Sequence, residues 1–222
     1  MEEPEVVFAP EKMIKHYSSN QKILLVGEGN FSFAACLAKI FGSAKNMVAT
    51  SLDSKESVIV KYSTAAASNL KELEDMECVL LHEVDVHTMR QHPLLVDQLF
   101  DRIVFNFPHA GFVFREHDQF QIKLHQDLVR GFFASAYEML NESGQVHVTH
   151  KTAYPFNKWE IVKLAEEAGL YLVEEAAFSI WDYPGYINMR GSGHSCDQTF
   201  PVGQCSTFKF VKARRLEFSF TR

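Results

Sequence analysis

The sequence predicts an α/β fold, in which helices cover both faces of a seven-stranded, mostly parallel sheet with an antiparallel last strand. Three observations lead to this fold class. Apolar runs rich in β-branched residues alternate with amphipathic stretches, a rhythm typical of a parallel sheet wrapped by helices. The first run ends in a glycine turn. The chain closes with a helix, a strand, a long loop and a final strand, and adjacent strands joined in this way must run antiparallel.

Length and composition indicate one domain. The 222 residues are 46% hydrophobic and 23% charged, which suffices for one substantial core and not for two domains of ordinary size. We expect a polar lead-in at residues 1–21, a Rossmann-like domain at 22–212 and a basic tail at 213–222.

Charge and hydropathy exclude several classes of protein. The net charge of −6 argues against binding of nucleic acid through bulk electrostatics, although it allows local contact. No apolar stretch reaches the roughly 18 residues that span a bilayer, and the acidic N-terminus does not resemble a secretory signal. The four cysteines form no CxxC pair and are expected to be reduced thiols. We therefore expect a soluble, intracellular protein without membrane association.

Seven runs are predicted to be strands because each is short, apolar and rich in β-branched residues. They are residues 22–26, 46–52, 78–84, 102–107, 145–149, 170–180 and 207–211. The first should be a buried parallel strand, since every position from Ile23 to Val26 is apolar.

The first helix is predicted to begin near Ser32, whose hydroxyl can cap the free backbone amides, and to end at Gly42. Its apolar residues at helical spacing should face the sheet. These are Phe33, Leu37, Ile40 and Phe41.

The longest helix is predicted over residues 116–140. Apolar residues recur in it at every fourth position, and the phenylalanines among them are expected in the core. These positions are Phe120, Leu124, Leu128 and Phe132. A shorter helix over residues 157–168 should end at Gly169, and the small-residue run at 63–68 should belong to a further helix.

The turn after the first strand is predicted to bind a nucleoside cofactor. In an open α/β sheet, ligands bind at the carboxyl ends of the strands, where Gly27 and Gly29 allow positive φ and a close approach. Asp53 follows the second strand, where a carboxylate can accept hydrogen bonds from both ribose hydroxyls. Asp85 follows the third strand and could bind the amine of an adenine; alternatively, it caps the helical turn that follows.

Two residues distinguish the cofactor classes that use such a turn. The dinucleotide fingerprint requires Gly or Ala where this chain has Ser32, and the carboxylate of Glu28 would repel a pyrophosphate. S-Adenosylmethionine instead brings a cationic sulfonium and an ammonium group. The sequence therefore favours S-adenosylmethionine, with NAD as the alternative.

The turn after the fourth strand is expected to hold the reacting end of the site, because this strand lies beside the first in a doubly wound sheet. Asn106 can present a donor and an acceptor to a planar amide or imide, and Phe107 could stack on a base. Pro108 should hold Phe107 in an extended conformation. His109 could accept a proton from a ring nitrogen; alternatively, it is a turn histidine that contacts backbone. The tetrad partly matches the Asn-Pro-Pro-aromatic turn of methyltransferases that act on nitrogen.

The loop between the last two predicted strands combines aromatic residues, glycines and a cation at residues 181–194. It could close over a flipped base by stacking and by a phosphate contact, and the alternative is that its aromatic residues only cover the sheet edge. With Phe107, the expected RNA contacts are Tyr183, Tyr186, Asn188 and Arg190. His194, Cys196 and Asp197 lack the fourth ligand of a zinc site, so no metal is expected.

Several motifs occur in order along the chain. They are LLVGEGNFSF at 24–33, DRIVFNFPH at 101–109, GQVHVTHKT at 144–152, PFNKW at 155–159, YPGYINMRG at 183–191 and TFKF at 207–210. On these motifs the chain resembles, from about Lys22 to Phe210, the family of ribosomal-RNA uridine-N3 methyltransferases with a Rossmann-like domain. The resemblance implies the class I methyltransferase fold, S-adenosylmethionine as cofactor and methylation of N3 of a uridine in large-subunit rRNA.

The resemblance and the turns together give the expected site. The resemblance implies cofactor contacts from Gly27, Gly29, Asn30, Phe31 and Asp53. The analysis of the turns adds Glu28, Ser32, Asp85, Asn106 and Phe107. For catalysis we expect Asn106 and His109 to handle the uracil imide, with Lys151 as a cation for the developing oxyanion.

RNA, with rRNA foremost, is the expected partner, and no obligate protein partner is evident. The expected compartment is the nucleolus, the nucleus or the cytoplasm. Two alternatives are an inactive relative that serves as a binding scaffold in ribosome biogenesis and an NAD-binding oxidoreductase.

Overall fold

A computed structural model describes residues 10–213. The strands are β1 (Met13–Ile14), β2 (Tyr17–Ser18), β3 (Ile23–Val26), β4 (Met47–Thr50), β5 (Val79–Leu81), β6 (Phe100–Asn106), β7 (Leu140–Lys151), β8 (Leu170–Ala177) and β9 (Cys205–Lys212). The α-helices are α1 (Ser32–Phe41), α2 (Lys55–Asp75), α3 (Gln119–Met139) and α4 (Ile161–Glu167). Short 3-10 helices lie at Met89–Gln91, Phe156–Trp159 and Ile180–Asp182.

Seven strands form one sheet in the order β5-β4-β3-β6-β7-β9-β8. The pairs from β5 to β7 are parallel, whereas β9 runs antiparallel to both of its neighbours, β7 and β8. The predicted seven-stranded sheet with an antiparallel last strand is confirmed. The carboxyl ends of β3, β4 and β6 therefore lie side by side, which is where this class of sheet binds ligands.

The central strands of the sheet are buried on both faces. Leu24 and Val26 of β3 belong to the cluster that packs against α3, whereas Ile23 and Leu25 belong to the cluster on the side of α1 and α2. Because side chains alternate along a strand, a strand covered on both faces must be apolar at every position. This explains why β3 could be predicted from its sequence.

The start of α1 differs from the prediction. The hydroxyl of Ser32 does not cap the helix; it donates to the Ile187 carbonyl (3.1 Å) and accepts the Ile187 N–H (3.0 Å). The free amides at the helix start bind other side chains, since the Ser32 N–H donates to Asn30 Oδ1 and the Ala34 N–H to Glu28 Oε2. The helix ends at Gly42 as predicted, with φ at 76°.

The apolar stripe predicted for α3 is only partly in the core. Phe132 is buried, but Phe120 is 73% exposed and Leu124 is 39% exposed, so the expectation that Phe120 is a core residue was wrong. The face buried in the first turns instead carries the polar residues Gln121 and His125. Gln121 and His125 form hydrogen bonds with the loop that precedes α3. In its first turns, the helix therefore turns these polar residues toward the protein and leaves Phe120 exposed.

The described part of the lead-in folds onto the domain. Tyr17 in the β1–β2 hairpin is buried and contacts the rings of Phe33 and His147. The tail from 214 onward and residues 1–9 lie outside the described residues. Within residues 10–213, no helix is both long enough and apolar enough to cross a bilayer.

Candidate functional site

A cavity of about 430 Å³ lies at the carboxyl edge of the sheet. It is bounded by the turns that follow β3, β4, β5 and β6 and by the long loop between β8 and β9, which we call the late loop (residues 178–204). The cavity brings together predicted residues from five separate segments: Gly27, Glu28, Gly29, Asn30, Asp53, Asp85, Asn106, Phe107, Tyr186 and Asn188. We call it the first cavity. Phe31 and Ser32 lie behind it, at the start of α1.

The backbone and its neighbours require glycine at position 27, and Gly29 is closely packed. Gly27 has φ at +68°, and a Cβ at this position would come within 2.4 Å of the Phe105 ring. A Cβ on Gly29 would lie 3.2 Å from the hydroxyl oxygen of Tyr62. The turn therefore passes close to aromatic side chains on two sides, and larger residues would displace it.

Glu28 is a buried carboxylate in the wall of the first cavity. Its Oε2 accepts the Ala34 N–H at 3.3 Å, which favours the ionised form, but burial has the larger effect and raises its pKa to about 7. Burial, with the charge of Glu28 nearby, also raises the pKa of Tyr186. A carboxylate held in such surroundings is stabilised by an incoming cation.

Among residues 10–213, three buried polar atoms in the wall of the first cavity have no hydrogen-bond partner. They are Nδ2 and Oδ1 of Asn106 and Nδ2 of Asn30. An unpaired buried group costs about 1–3 kcal/mol, so such atoms are commonly completed by a ligand. These atoms, with the carboxylate of Glu28, fit a ligand that carries both polar groups and positive charge.

The two acidic residues after β4 and β5 are already partnered. Lys61 of α2 contacts both carboxylate oxygens of Asp53, at 2.6 and 2.8 Å. Asp85 Oδ1 accepts the His87 N–H at 2.8 Å and lies 2.7 Å from His87 Nδ1. Asp85 thus closes a turn onto its own chain two residues on and does not cap the 3-10 helix at Met89–Gln91, whose N-cap is Thr88, so the capping alternative was wrong. Asp85 also lines the cavity.

Phe107 departs from the extended conformation that Pro108 was expected to impose. Its φ is +48°, because the chain turns sharply after β6 while the Phe107 N–H still donates to Thr149 O at 2.7 Å. The Phe107 ring meets the rings of Phe178 and Phe200 edge-on, at 5.5 and 5.3 Å. The ring is therefore held in place by the late loop.

His109 is oriented by its own loop. Its Nδ1 accepts the Gly111 N–H at 3.1 Å, and its ring stacks on Phe112 with centroids 5.4 Å apart. Burial, with a smaller contribution from the charge of Lys61, lowers its pKa. A neutral imidazole that accepts at Nδ1 carries its proton on Nε2, so this hydrogen bond assigns His109 the role of a donor at Nε2.

A second cavity, of about 670 Å³, adjoins the first. The two share the wall formed by Phe107, His109, Ser192 and Phe200. Lys151 lines the second cavity, with Nζ 4.6 Å from the centre of the Phe156 ring and 4.9 Å from that of Phe200. Burial lowers the pKa of Lys151.

The late loop divides the expected RNA contacts among three places. Tyr183 is 3% exposed and packs against Phe33 and Phe178, so it is a core residue and not a surface contact. Tyr186 and Asn188 line the first cavity, and Asn188 Nδ2 donates to a backbone carbonyl at 2.6 Å. Arg190 lines the second cavity.

Several residues of the site were missed by the sequence analysis. Lys61 and Tyr62 reach the first cavity from α2, and Phe200 reaches both cavities from the far end of the late loop. In the sequence, Lys61 is indicated only by its position, eight residues after Asp53. No local pattern marks Phe200, because only the return of the chain brings it to β6.

Comparison with known proteins identifies relatives over most of the chain. The family model for BMT5-like proteins, described as rRNA (uridine-N3-)-methyltransferase BTM5-like, matches residues 24–190. Uncharacterized protein At4g26485 of Arabidopsis thaliana is 53% identical over 206 residues, which cover 91% of this chain and 98% of that protein. Heavy metal-associated isoprenylated plant protein 41 of Arabidopsis thaliana is 52% identical, and the match covers 92% of this chain but 39% of that longer protein. The 25S rRNA (uridine(2634)-N(3))-methyltransferase of Saccharomyces cerevisiae is 24% identical, with 84% of this chain and 70% of that protein covered.

Solved structures share the fold at low identity. A methyltransferase from Pyrococcus furiosus matches with a TM-score of 0.53 and 17% identity, covering 86% of this chain and 75% of that one. TrmN from Thermus thermophilus matches with a TM-score of 0.52 and 15% identity, covering 86% and 44%. The class I methyltransferase fold is thereby confirmed, and S-adenosylmethionine is the cofactor of this fold and family. The chain belongs to the family of BMT5-like rRNA (uridine-N3-)-methyltransferases.

Proposed function

We propose that this protein transfers a methyl group from S-adenosylmethionine to N3 of a uridine in large-subunit rRNA. The observation that carries the proposal is the meeting of the two cavities at Phe107 and His109, directly after the unpartnered amide of Asn106. One cavity has the acidic and polar wall that suits the methyl donor, and the other has aromatic rings and cations that suit a base. The yeast relative, named as a uridine-N3 methyltransferase, supports this choice of acceptor.

The first cavity is proposed to bind the cofactor along its length. Glu28 pairs with the ammonium group of the methionine end, and the turn at Gly27 and Gly29 admits that end close to the backbone. Asp53 accepts the ribose hydroxyls in competition with Lys61, which contacts both of its carboxylate oxygens. Asp85 lies where it can reach the adenine amine with the oxygen that does not contact His87. When bound, the cofactor supplies an electrophilic methyl group.

The second cavity is proposed to hold the uracil ring. A uracil imide presents an N–H between two carbonyl oxygens. The N–H proton passes to solvent water before the methyl group is transferred, and the negative charge left on the imide spreads onto those oxygens. Asn106 lines the first cavity beside the shared wall, and its amide can both donate to and accept from the imide edge of a uracil ring that meets the cofactor at that wall. His109 Nε2–H and the Lys151 ammonium can stabilise the oxygens as they become negative.

This assignment changes the role expected for His109. A general base at this position would need a free lone pair, and the Nδ1 lone pair already accepts the Gly111 N–H. Its lowered pKa keeps the ring neutral, so it donates without adding charge. His109 is therefore proposed to stabilise the ionised imide and not to remove its proton.

Methyl transfer to rRNA from a strain that lacks N3-methyluridine tests the proposal. Recombinant protein and radiolabelled S-adenosylmethionine should label the large-subunit rRNA, and nucleoside mass spectrometry should identify N3-methyluridine. Asn106→Ala should bind S-adenosylhomocysteine in calorimetry and label the RNA at least tenfold more slowly. Cofactor binding without label would overturn the RNA substrate, and absence of both would favour the scaffold alternative. Fluorescence titration with NADH tests the oxidoreductase alternative, which the family match does not favour.

A further inference from the structure

Three phenylalanines point into solvent at the mouth of the second cavity. Phe112 is 47% exposed, Phe114 is 49% exposed and Phe120, from the first turn of α3, is 73% exposed. Their neighbour Val113 is also exposed. Soluble proteins expose single apolar side chains often, but a contiguous group of aromatic rings beside a cavity marks an interaction surface. We call Phe112, Phe114 and Phe120 the aromatic platform.

Hydrogen bonds from two buried side chains fix the backbone of the loop that carries Phe112 and Phe114. Oε1 of the buried Gln121 accepts the N–H groups of Val113 and Phe114, at 2.8 and 2.9 Å, and its Nε2 donates to Gly111 O at 2.7 Å. His125 Nδ1 accepts the Ala110 N–H at 3.0 Å. Two buried polar side chains of α3 are thus committed to a loop that displays apolar rings. Such a preordered surface loses little conformational entropy on binding.

The rings continue the wall of the acceptor cavity outward. Phe112 stacks on His109 with an angle of 22° between the ring planes. Beyond it, the Phe114 and Phe120 rings lie 6.2 Å apart at 42° to each other. Phe114 and Phe120 are 49% and 73% exposed, so part of each outer ring is accessible to a partner. A chain leaving the second cavity along this wall would pass directly over the outer rings.

The lining of the second cavity, which the platform adjoins, has a charge opposite to that of the whole protein. Three cations, Arg115, Lys151 and Arg190, line this cavity, against one acid, Glu116. The lining therefore carries a net positive charge, whereas the chain carries −6. An anionic partner is attracted here and repelled elsewhere on the molecule.

We propose that the aromatic platform stacks the unpaired nucleotides next to the target uridine, so that the substrate is bound as single-stranded RNA. The proposal rests on the proposed function and adds the form in which its substrate is presented. Aromatic rings beside cations are the combination that binds single strands, since each base offers a face to a ring and each phosphate a charge to a cation. A paired stem would keep its bases stacked on each other, out of reach of Phe114 and Phe120.

The test compares RNA binding by the wild type, Phe114→Ala/Phe120→Ala and Phe114→Tyr/Phe120→Tyr. Trp181→Ala is the matched control, because Trp181 is 90% exposed and lines neither cavity. The probe is a labelled 12-nucleotide oligouridine with one central 2-aminopurine, measured alone and annealed to its complement. The alanine pair should weaken single-strand binding by about ten- to a hundredfold, while the tyrosine pair and Trp181→Ala bind like the wild type. Quenching of 2-aminopurine fluorescence, which reports stacking, should be lost only in the alanine pair.

The outcomes separate this proposal from the proposed function. If the wild type methylates rRNA and the alanine pair binds the single strand with unchanged affinity and quenching, the platform does not contact RNA and the function stands. If the alanine pair loses the same affinity for the single strand and for the duplex, the platform does not stack unpaired bases. If the alanine pair binds RNA like the wild type but no longer binds a protein that the wild type binds, the platform is a surface for a protein partner. A wild type that binds neither RNA nor S-adenosylhomocysteine would remove both proposals together.

Discussion

Replacing Glu28 by glutamine should stabilise the cofactor-free protein above neutral pH and weaken cofactor binding. The side chain is buried, and burial raises its pKa from 4.5 to about 7. Because the folded state holds this proton more tightly than the unfolded state, unfolding free energy falls as the pH rises from 4.5 to 7. Glutamine has no proton to lose, and its Oε1 can still accept the Ala34 N–H that Glu28 accepts.

The magnitude follows from the shift of the Glu28 pKa. One pKa unit is worth about 1.4 kcal/mol, so a rise from 4.5 to about 7 corresponds to about 3 kcal/mol of lost stability above pH 7. At pH 8, Glu28→Gln should therefore be more stable than the wild type by up to about 3 kcal/mol. The difference should shrink steadily as the pH is lowered toward 5, where the wild-type carboxyl is protonated in the folded state.

Urea unfolding followed by circular dichroism at pH 5.5 and 8.0 measures this effect. Glu166→Gln, on the exposed face of α4, is the matched control and should show no gain at pH 8. Calorimetry with S-adenosylhomocysteine, which keeps the ammonium group, should show at least tenfold weaker binding to Glu28→Gln. If Glu28→Gln shows the same stability difference at both pH values, or none, the pKa argument is refuted. Unchanged affinity would remove Glu28 from the cofactor site.

Three further substitutions test the site. Gly27→Ala should lower the unfolding free energy by about 2–4 kcal/mol, because it adds a clash with Phe105 to an unfavourable φ; Gly185→Ala, which has the same sign of φ and open space, should cost about 1 kcal/mol in urea unfolding. Lys61→Met should tighten binding of S-adenosylhomocysteine several-fold in calorimetry, because it frees the carboxylate after β4; weaker binding would mean that Lys61 contacts the cofactor. His109→Ala should slow single-turnover methylation by about 100-fold with little change in cofactor affinity, and full activity would remove His109 from the chemistry.

The sheet could be predicted from the sequence because its central strands are buried on both faces. That burial leaves an uninterrupted apolar run at β3, and the glycine turn that follows is fixed by local geometry. The positions of the site residues at the carboxyl ends of the strands could be predicted for the same reason. Asp53, Asp85 and Asn106 are far apart in sequence, and the parallel order of β3, β4, β5 and β6 brings them to one cavity.

The errors came from residues whose partners are distant in sequence. Phe120 and Phe132 belong to the same predicted apolar stripe of α3, but only Phe132 is buried in the core against the sheet. Ser32 is a good capping residue by type, yet Ile187 in the late loop engages its hydroxyl. Periodicity reports which residues could share a face and does not report what covers that face.

The late loop lines both cavities of the candidate site. Ile187 of this loop is hydrogen-bonded to Ser32 at the start of α1, and Phe200 of the same loop forms part of the wall of both cavities. A Cβ on Gly191 of the same loop would come within 2.7 Å of His109 Nε2, so the loop also fits closely against the proposed acceptor site. One segment therefore contacts the start of α1, the residues after β6 and the second cavity. Its glycines and aromatic residues were visible in the sequence, but their function depends on the antiparallel β9, which returns the chain between β7 and β8.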